Sequence, residues 1–584
     1  MSAVELEGNY AYVGVGPHLD IIDISEPTRP IRVGQTGILR GFVKDIAISD
    51  GYTYITYAYH DREGGLCAVD ITNPADPVVT SCYSTSDLVG GVAAAGSYVY
   101  AIDQLEGLHV INASDPTALV GRNLGERLPG AFYPIIAGSR LYFTDLDGLH
   151  IVDITQPTNP EEIGFYKIEG SDYGLAVAGK YAYVGARGAL HILDISDPAA
   201  PQQRGFLPLG QPVVQLAVSG NHAYIATFDF DAEVLVIDVS DPGAPKEVGT
   251  LGPPEVSRDI AVRGTYAYVA DYYNGLRIVD ISSPASPKEV SLYPTIGQVH
   301  DMAVAGRYAY VVGGTNTSSL YVVDLAQVEA PALVSRYELP EAAAGVAVVE
   351  SYAYVVGVAG LRVVNIADPE SPILVGFLPM PGGAIRVAVV ANYAYLASRD
   401  KGLRIIDVSD PVAPVEAGSY KPPDDAYDIV VEGTYAFVAA WLAGLRVVDV
   451  SNPASPVEMG SYSIPGAAFR DVALERGYIY LTAGGSGVYV LDISIPKAPI
   501  EIGFYRTDYP RNAGHIAVIE GYAYVTYADL DRWGGLLVLN ISDPQSVSAS
   551  ILYDIYGGAG SVVAGAGYVL VSAGEGGLYI FQAK

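Results

Sequence analysis

The stretch NGLRIVDISSPASP, residues 274–287, decides the fold. An aliphatic run, Leu276 to Ile281, carries Asp280 near its end, and a turn rich in Ser and Pro follows it. Short runs of Val, Ile and Tyr punctuated by Gly and Pro are strand signals, and no helical period competes. The phrase returns along the whole chain as GxYAYV…GLxIVDISxPxxP. With the Asp of IVD as marker, it recurs at Asp23, Asp70, Asn112, Asp153, Asp194, Asp238 and Asp280. It continues at Asp324, Asn365, Asp407, Asp449, Asp492 and Asn540, and Phe581 holds the place in a degenerate last copy, GLYIFQAK. That makes fourteen copies of about 43 residues, the length of a propeller blade.

Each copy reads as four short strands. Around Asp280 these are RDIAV, YAYVA, LRIVDIS and KEVSLY. Strands this short and close in sequence pair as an antiparallel meander, and one such sheet cannot bury both faces alone. Radial stacking of neighbouring copies covers them. The expected fold is all-β, a β-propeller of fourteen four-stranded antiparallel blades. Fourteen divides into two seven-bladed rings in tandem, residues 1–293 and 294–584; the alternative is one closed fourteen-bladed ring over 1–584. The last copy stops after its third strand, so the last blade is expected to have three strands.

The repeats resemble the LVIVD repeat family of bacterial and archaeal surface proteins. LRIVDIS here, LHIVDIT at 149–155, LRIIDVS at 403–409 and LRVVDVS at 445–451 carry the likeness, which covers essentially the whole chain. The resemblance implies a propeller, set in the cell envelope or outside the cell, and says little about activity.

Composition narrows the partners. The chain has 584 residues, with 33 basic against 65 acidic side chains and a net charge of −32. Such a surface repels phosphates, so neither nucleic acid nor an anionic membrane is an expected partner. No apolar run approaches the roughly 20 residues that span a bilayer, so membrane insertion is not expected. The opening MSAVELEGNYAYV lacks the basic and apolar regions of a signal peptide. An extracellular or cell-surface location is expected from the resemblance.

Asp280 itself reads as scaffolding. Asn replaces it in three copies, which keeps an acceptor oxygen and discards the charge. Hydrogen bonding to backbone at the start of the turn tolerates that exchange; catalysis by a special carboxylate does not.

Variation between copies points to one face. Turns from strand one to two and from three to four are monotonous, whereas those from two to three and from blade to blade differ. Loops on a rigid scaffold carry function, so the variable face is expected to meet a protein or glycan. Ligand-contact candidates there are His60, Asp61, Glu63, Asp229, Asp231, His300, His515, Asp529, Asp531, Arg532 and Trp533. An exposed Trp beside Arg is a common interface anchor. Trp441 reads as capping a blade edge.

The acidic pairs Asp145/Asp147, Asp229/Asp231 and Asp529/Asp531 are weak calcium candidates. Calcium takes roughly six to eight oxygens, and Asp is also an ordinary turn residue. No other cofactor is expected. His109, His150 and His191 share one register of the third strand. Facing sheets lie about 10 Å apart, too far for a shared zinc, so they read as a solvent-facing polar row. Arg277, Arg362, Arg404 and Arg446 fill that register elsewhere. Asp45, Asp259, Asp301, Asp428 and Asp471 recur near the first strand and either line a channel or serve structure. Cys67 and Cys82 lie equidistant from a hairpin turn, within disulfide reach in an oxidising compartment.

The expected function is that of a non-catalytic repeat scaffold or binding protein. The alternative is a propeller hydrolase or lyase with its site at the ring axis. Sequence motifs for a serine elbow, a zinc protease or a phosphate loop are absent. A cluster of unlike charged groups drawn from several blades to one axis would favour the enzyme; a uniform axis would favour the binder.

Overall fold

The computed structural model of the protein describes all residues except 1, 38, 60–62, 87, 104–105, 125–131, 169–173, 228–233, 252–256, 272–274, 295–297, 315–317, 327–330, 508–511, 529–533, 556–557, 566, 574–577 and 583–584. The described residues form fourteen antiparallel sheets, each a meander in chain order. Thirteen sheets have four strands, and the fourteenth has three rather than the general four. Numbered along the chain, the blades span 4–35, 42–85, 89–123, 132–167, 175–208, 213–251, 257–294, 299–339, 343–379, 386–420, 428–462, 471–505, 512–555 and 562–582.

Blade 7 is representative. Its strands are Ser257–Arg263, Tyr266–Asp271, Gly275–Asp280 and Lys288–Pro294. Val269 stands opposite Arg277, and a bulge displaces the register between Ile278 and Val279. At the end of the third strand, Asp280 Oδ1 accepts the Ser282 N–H at 2.8 Å. Asn112, Asn365 and Asn540 accept the N–H two residues on in the same way, at 2.9, 2.9 and 3.0 Å. The charge is dispensable because the oxygen does the bonding.

Within each unit, two devices recur between packed blades. On the first strand, a carboxylate reaches across: Asp45 Oδ2 accepts the N–H of Val92 at 2.8 Å, and Asp428 Oδ2 that of Val472 at 2.9 Å. On the fourth strand, a Gly or Ser abuts the proline turn of a neighbouring blade. A Cβ on Gly205 would lie 2.0 Å from Pro242 O, while Ser81 Oγ donates to Pro116 O at 2.7 Å. Between these, aliphatic side chains and the second aromatic of each YAYV fill the inter-blade layers, as where Tyr224 packs with Ile260 and Val269.

The chain divides into two compact units, Met1–Thr295 and Ile296–Lys584. Within the first, blade 7 meets blade 1. Tyr268, Leu276 and Ile278 share a core with Val4, Val13 and Ile22; Asp259 Oδ2 accepts the Val4 N–H at 2.8 Å; and Ser291 Oγ donates to Pro27 O. Within the second, Leu570, Val563 and Ile580 of blade 14 pack on Met302, Val311 and Tyr321 of blade 8. Among the described residues, no helix is long and apolar enough to cross a membrane.

Candidate functional site

Each blade offers one residue at a fixed register of its first strand, opposite the position two beyond the second aromatic of strand two. In the second unit, Asp301, Gly345, Arg386, Asp428 and Asp471 stand opposite Val312, Val356, Ala397, Ala439 and Thr482. His515 and Ser561 take the place in blades 13 and 14, their N–H groups donating to Thr526 Oγ1 and Ser572 Oγ at 2.9 and 2.8 Å. The first unit places Asp45, Gly91, Gln215 and Asp259 at this register.

The second unit thus gathers unlike groups from five blades. Arg386 Nη2 lies 3.1 Å from His515 Nδ1, and its Nη1 lies 3.8 Å from Asp301 Oδ1. The Arg386 Nη1 also donates to Ala344 O at 3.2 Å. Asp471 Oδ2 is 3.1 Å from the same His515 Nδ1 and accepts the Ile516 N–H at 2.7 Å. Asp301 Oδ2 accepts the Val346 N–H at 3.0 Å. A third of the His515 side chain stays accessible.

Burial and mutual charge sort the protonation states. Burial first, then repulsion from Asp471, pushes the Asp428 carboxyl well above its ordinary value. Burial raises Asp471 too, but a hydrogen bond from Asp428 and the Arg386 charge oppose the rise. Both carboxyls are thus raised by burial, and their mutual hydrogen bond favours a single proton shared by the pair. Burial works against the charge of Arg386, but Asp301, Asp471 and Asp428 outweigh it and hold the guanidinium protonated. Desolvation, and then Arg386, push His515 down to about 4, so its imidazole is neutral with Nδ1 facing the guanidinium.

An aromatic–cation ladder borders this cluster. Tyr427 and Arg470 immediately precede Asp428 and Asp471. Tyr427 stacks on Trp441 at 4.8 Å, Arg399 lies over Tyr427 at 5.4 Å, and Arg470 lies over Trp441 at 4.7 Å. Trp441, in blade 11, therefore lies between Tyr427, just before that blade, and Arg470, just before blade 12. It holds a left-handed backbone (φ 41°) and bridges to Phe469.

Of the residues singled out from sequence, His515 joins the cluster. His300 sits beside Asp301, its ring Nδ1 bonded to Ala343 O at 2.8 Å. His60, Asp61, Asp229, Asp231, Asp529, Asp531, Arg532 and Trp533 lie outside the described residues, as does the side chain of Glu63. Asp145 Oδ1 accepts the N–H of Asp147 and of Gly148 at 2.8 and 3.0 Å, and its Oδ2 pairs with His150 at 3.2 Å. Cys67 and Cys82 are directly opposed and their Sγ atoms are bonded.

The expected solvent-facing histidine row is corrected at His109, which is 1% exposed. That register turns toward the neighbouring blade, and Tyr83 of blade 2 meets His109 edge-on at 5.8 Å. Arg386 escaped notice in the sequence, although IRVAV aligns with RDIAV, HDMAV, YDIVV, RDVAL and GHIAV. Aligning the first strands of all copies column by column exposes it.

A family model described as the LVIVD repeat matches residues 2–36, 40–85, 89–121, 136–168, 169–205, 212–251, 256–295, 296–338, 341–378, 381–421, 423–464, 465–507 and 510–554. The chain belongs to the LVIVD repeat family. The thirteen matched repeats of this LVIVD protein follow its four-stranded blades, and the three-stranded blade lies beyond the last match. No curated protein matches the chain. The first-strand register recurs from blade to blade, while the residue that fills it varies between copies.

Proposed function

We propose that this LVIVD repeat scaffold is a glycan-binding protein of the cell surface or extracellular space, built as two closed seven-bladed propellers. Its ligand site is the axial cluster of the second unit. The observation that carries the reading is the meeting of Asp301, Arg386, Asp428, Asp471 and His515 from five blades at one register. Structural use alone needs only a carboxylate that caps the next blade, as Asp45 does in the first unit. A guanidinium, a carboxylate, a carboxylic acid and a neutral imidazole offer both donors and acceptors to sugar hydroxyls. The aromatic faces of Tyr427 and Trp441 supply the apolar part of a binding surface beside them. The disulfide between Cys67 and Cys82 fits an oxidising compartment.

The experiment is calorimetric titration of the full chain with neutral and uronic-acid oligosaccharides, against the variants Arg386→Gln and Asp471→Asn. Binding weakened at least tenfold in both variants, with unchanged circular dichroism, supports the reading. Glycan affinity equal to wild type in both sinks it.

The second reading, a propeller hydrolase or lyase, is the one that unlike charged groups from several blades were expected to favour, and the proton shared by Asp428 and Asp471 supports it as well. Asp428 as acid and Asp471 as base, next to a neutral imidazole, is an arrangement able to hydrolyse or eliminate across a glycosidic bond. New reducing ends, or the absorbance of an unsaturated product, that disappear in Asp428→Asn would move the assignment from binder to enzyme.

A further inference from the structure

Blade 3 departs from its neighbours in how it balances buried charge. At the third-strand register of blade 7, Arg277 lies between two carboxylates, 3.8 Å from Asp271 and 2.5 Å from Glu289. In blade 4, His150 takes that place between Asp145 at 3.2 Å and Glu162 at 3.4 Å; the two carboxylates outweigh its burial and raise its pKa. A positive charge thus offsets the acidic pair in both blades.

Blade 3 keeps the carboxylate at the end of strand two, Asp103, which is fully buried. It has Gly121 where the fourth strands of blades 4 and 7 carry Glu162 and Glu289. Its second carboxylate, Glu106, comes from the strand-two-to-three hairpin. The residue between them is His109, whose imidazole is buried.

We infer that blade 3 holds a divalent transition-metal cation, of the zinc type, on Asp103, Glu106 and His109. One ligand atom from each residue lies within 4.8 Å of the others. Zinc–oxygen and zinc–nitrogen bonds of about 2.0–2.2 Å set tetrahedral ligand atoms about 3.4 Å apart, so the longest edge of the triangle closes by at most about 1.4 Å when the ion binds. The outer partners are in position. Tyr83 OH is 3.1 Å from His109 Nδ1 and, by accepting its N–H, turns the Nε2 lone pair inward, where Glu106 Oε2 lies 3.3 Å away. Asp103 Oδ1 accepts the Glu106 N–H at 2.8 Å, and Ser86 Oγ donates to Glu106 Oε1. Three protein ligands leave a further position for water. The cation supplies the positive charge that Arg277 and His150 supply in their blades.

The test strips the full-length protein with a chelator and titrates it with Zn²⁺ alone by calorimetry, then with Co²⁺ by visible absorption. One equivalent should bind, with a ligand-field spectrum. His109→Gln and Glu106→Gln should each lower the affinity more than tenfold and remove the spectrum, while Asp145→Asn in blade 4 should leave both unchanged. Should His109→Gln fail to fold, Glu106→Gln decides, because that side chain is a third exposed. Zn²⁺ binding that both Gln variants retain, or a site filled by Ca²⁺ and not by Zn²⁺, overturns the inference.

Discussion

Asp259 does two jobs in blade 7. One carboxylate oxygen holds the N–H of Val4 and the other that of Ile260, and the group is buried among like charges. Burial pushes it up to about 6, and half-buried Asp45, near Asp259, to about 7. Glu5 is raised as well, by desolvation and then by both neighbours, although its residue stays solvent-exposed. An unfolded Asp titrates near pH 4, about 3.9. Between that value and the raised ones, the folded chain binds more protons than the unfolded chain. Stability from these groups is therefore full below about pH 4 and falls as the pH rises through about 6 to 7. His515, held down to about 4, acts in the opposite direction below its ordinary value, so the comparison must be made against a variant. Asp259→Asn should lose less melting temperature than wild type between about pH 5 and pH 8. Parallel slopes for the two proteins would refute this assignment. The turn residue Asp280 was legible from the chain, because Asn exchanges with it between copies. The roles of Asp259 and Arg386 were not, because burial and charge neighbours come from other blades.

At the scale of the strand, the least conspicuous residue controls blade spacing. Gly205 lies after the bulge of blade 5, and a Cβ there would come within 2.0 Å of the Pro242 carbonyl in blade 6. Gly34, Gly376 and Gly503 meet Pro74, Pro411 and Pro544 in the same manner. Backbone cannot step aside as a flexible side chain can, so Gly205→Ala should destabilise by about 1–3 kcal/mol in denaturant unfolding, the usual cost of overpacking. Gly37→Ala, with open space at the Cβ, should stay within about 0.5 kcal/mol of wild type. Equal effects at the two positions would remove this contact from the account. The strands themselves were readable from period and punctuation. Their third-strand register was misread at His109, because alternation says only that a side chain leaves the sheet. Whether it meets water or the next blade depends on that blade's fourth strand, here Tyr83.

For the whole molecule, the question is which blades are neighbours. We take the packing of blade 1 on blade 7, and of blade 8 on blade 14, as the basis for two separate seven-bladed closures. A protease site inserted after Pro294 tests it. Cleavage should release two fragments that separate on gel filtration, each with a cooperative melt and native far-ultraviolet dichroism. Fragments that stay together until denatured, or that unfold on cleavage, would point to one ring of fourteen. Among the described residues blade 14 has three strands, the third being Leu578–Gln582, and the Ser291–Pro27 contact belongs to blades 7 and 1. Blades 14 and 8 pack through their first three strands, with Leu570 in the same core as Val311.

By itself, the sequence determined the repeat, the strand content, the Asx turn and the opposition of Cys67 to Cys82. All of these depend on residues a few positions apart, where period and turn chemistry act. Only the tertiary structure decided that Asp301, Arg386, Asp428, Asp471 and His515 share one site. Their positions span more than two hundred residues of chain, and the electrostatic coupling between them exists only once successive blades bring the same register to the same place.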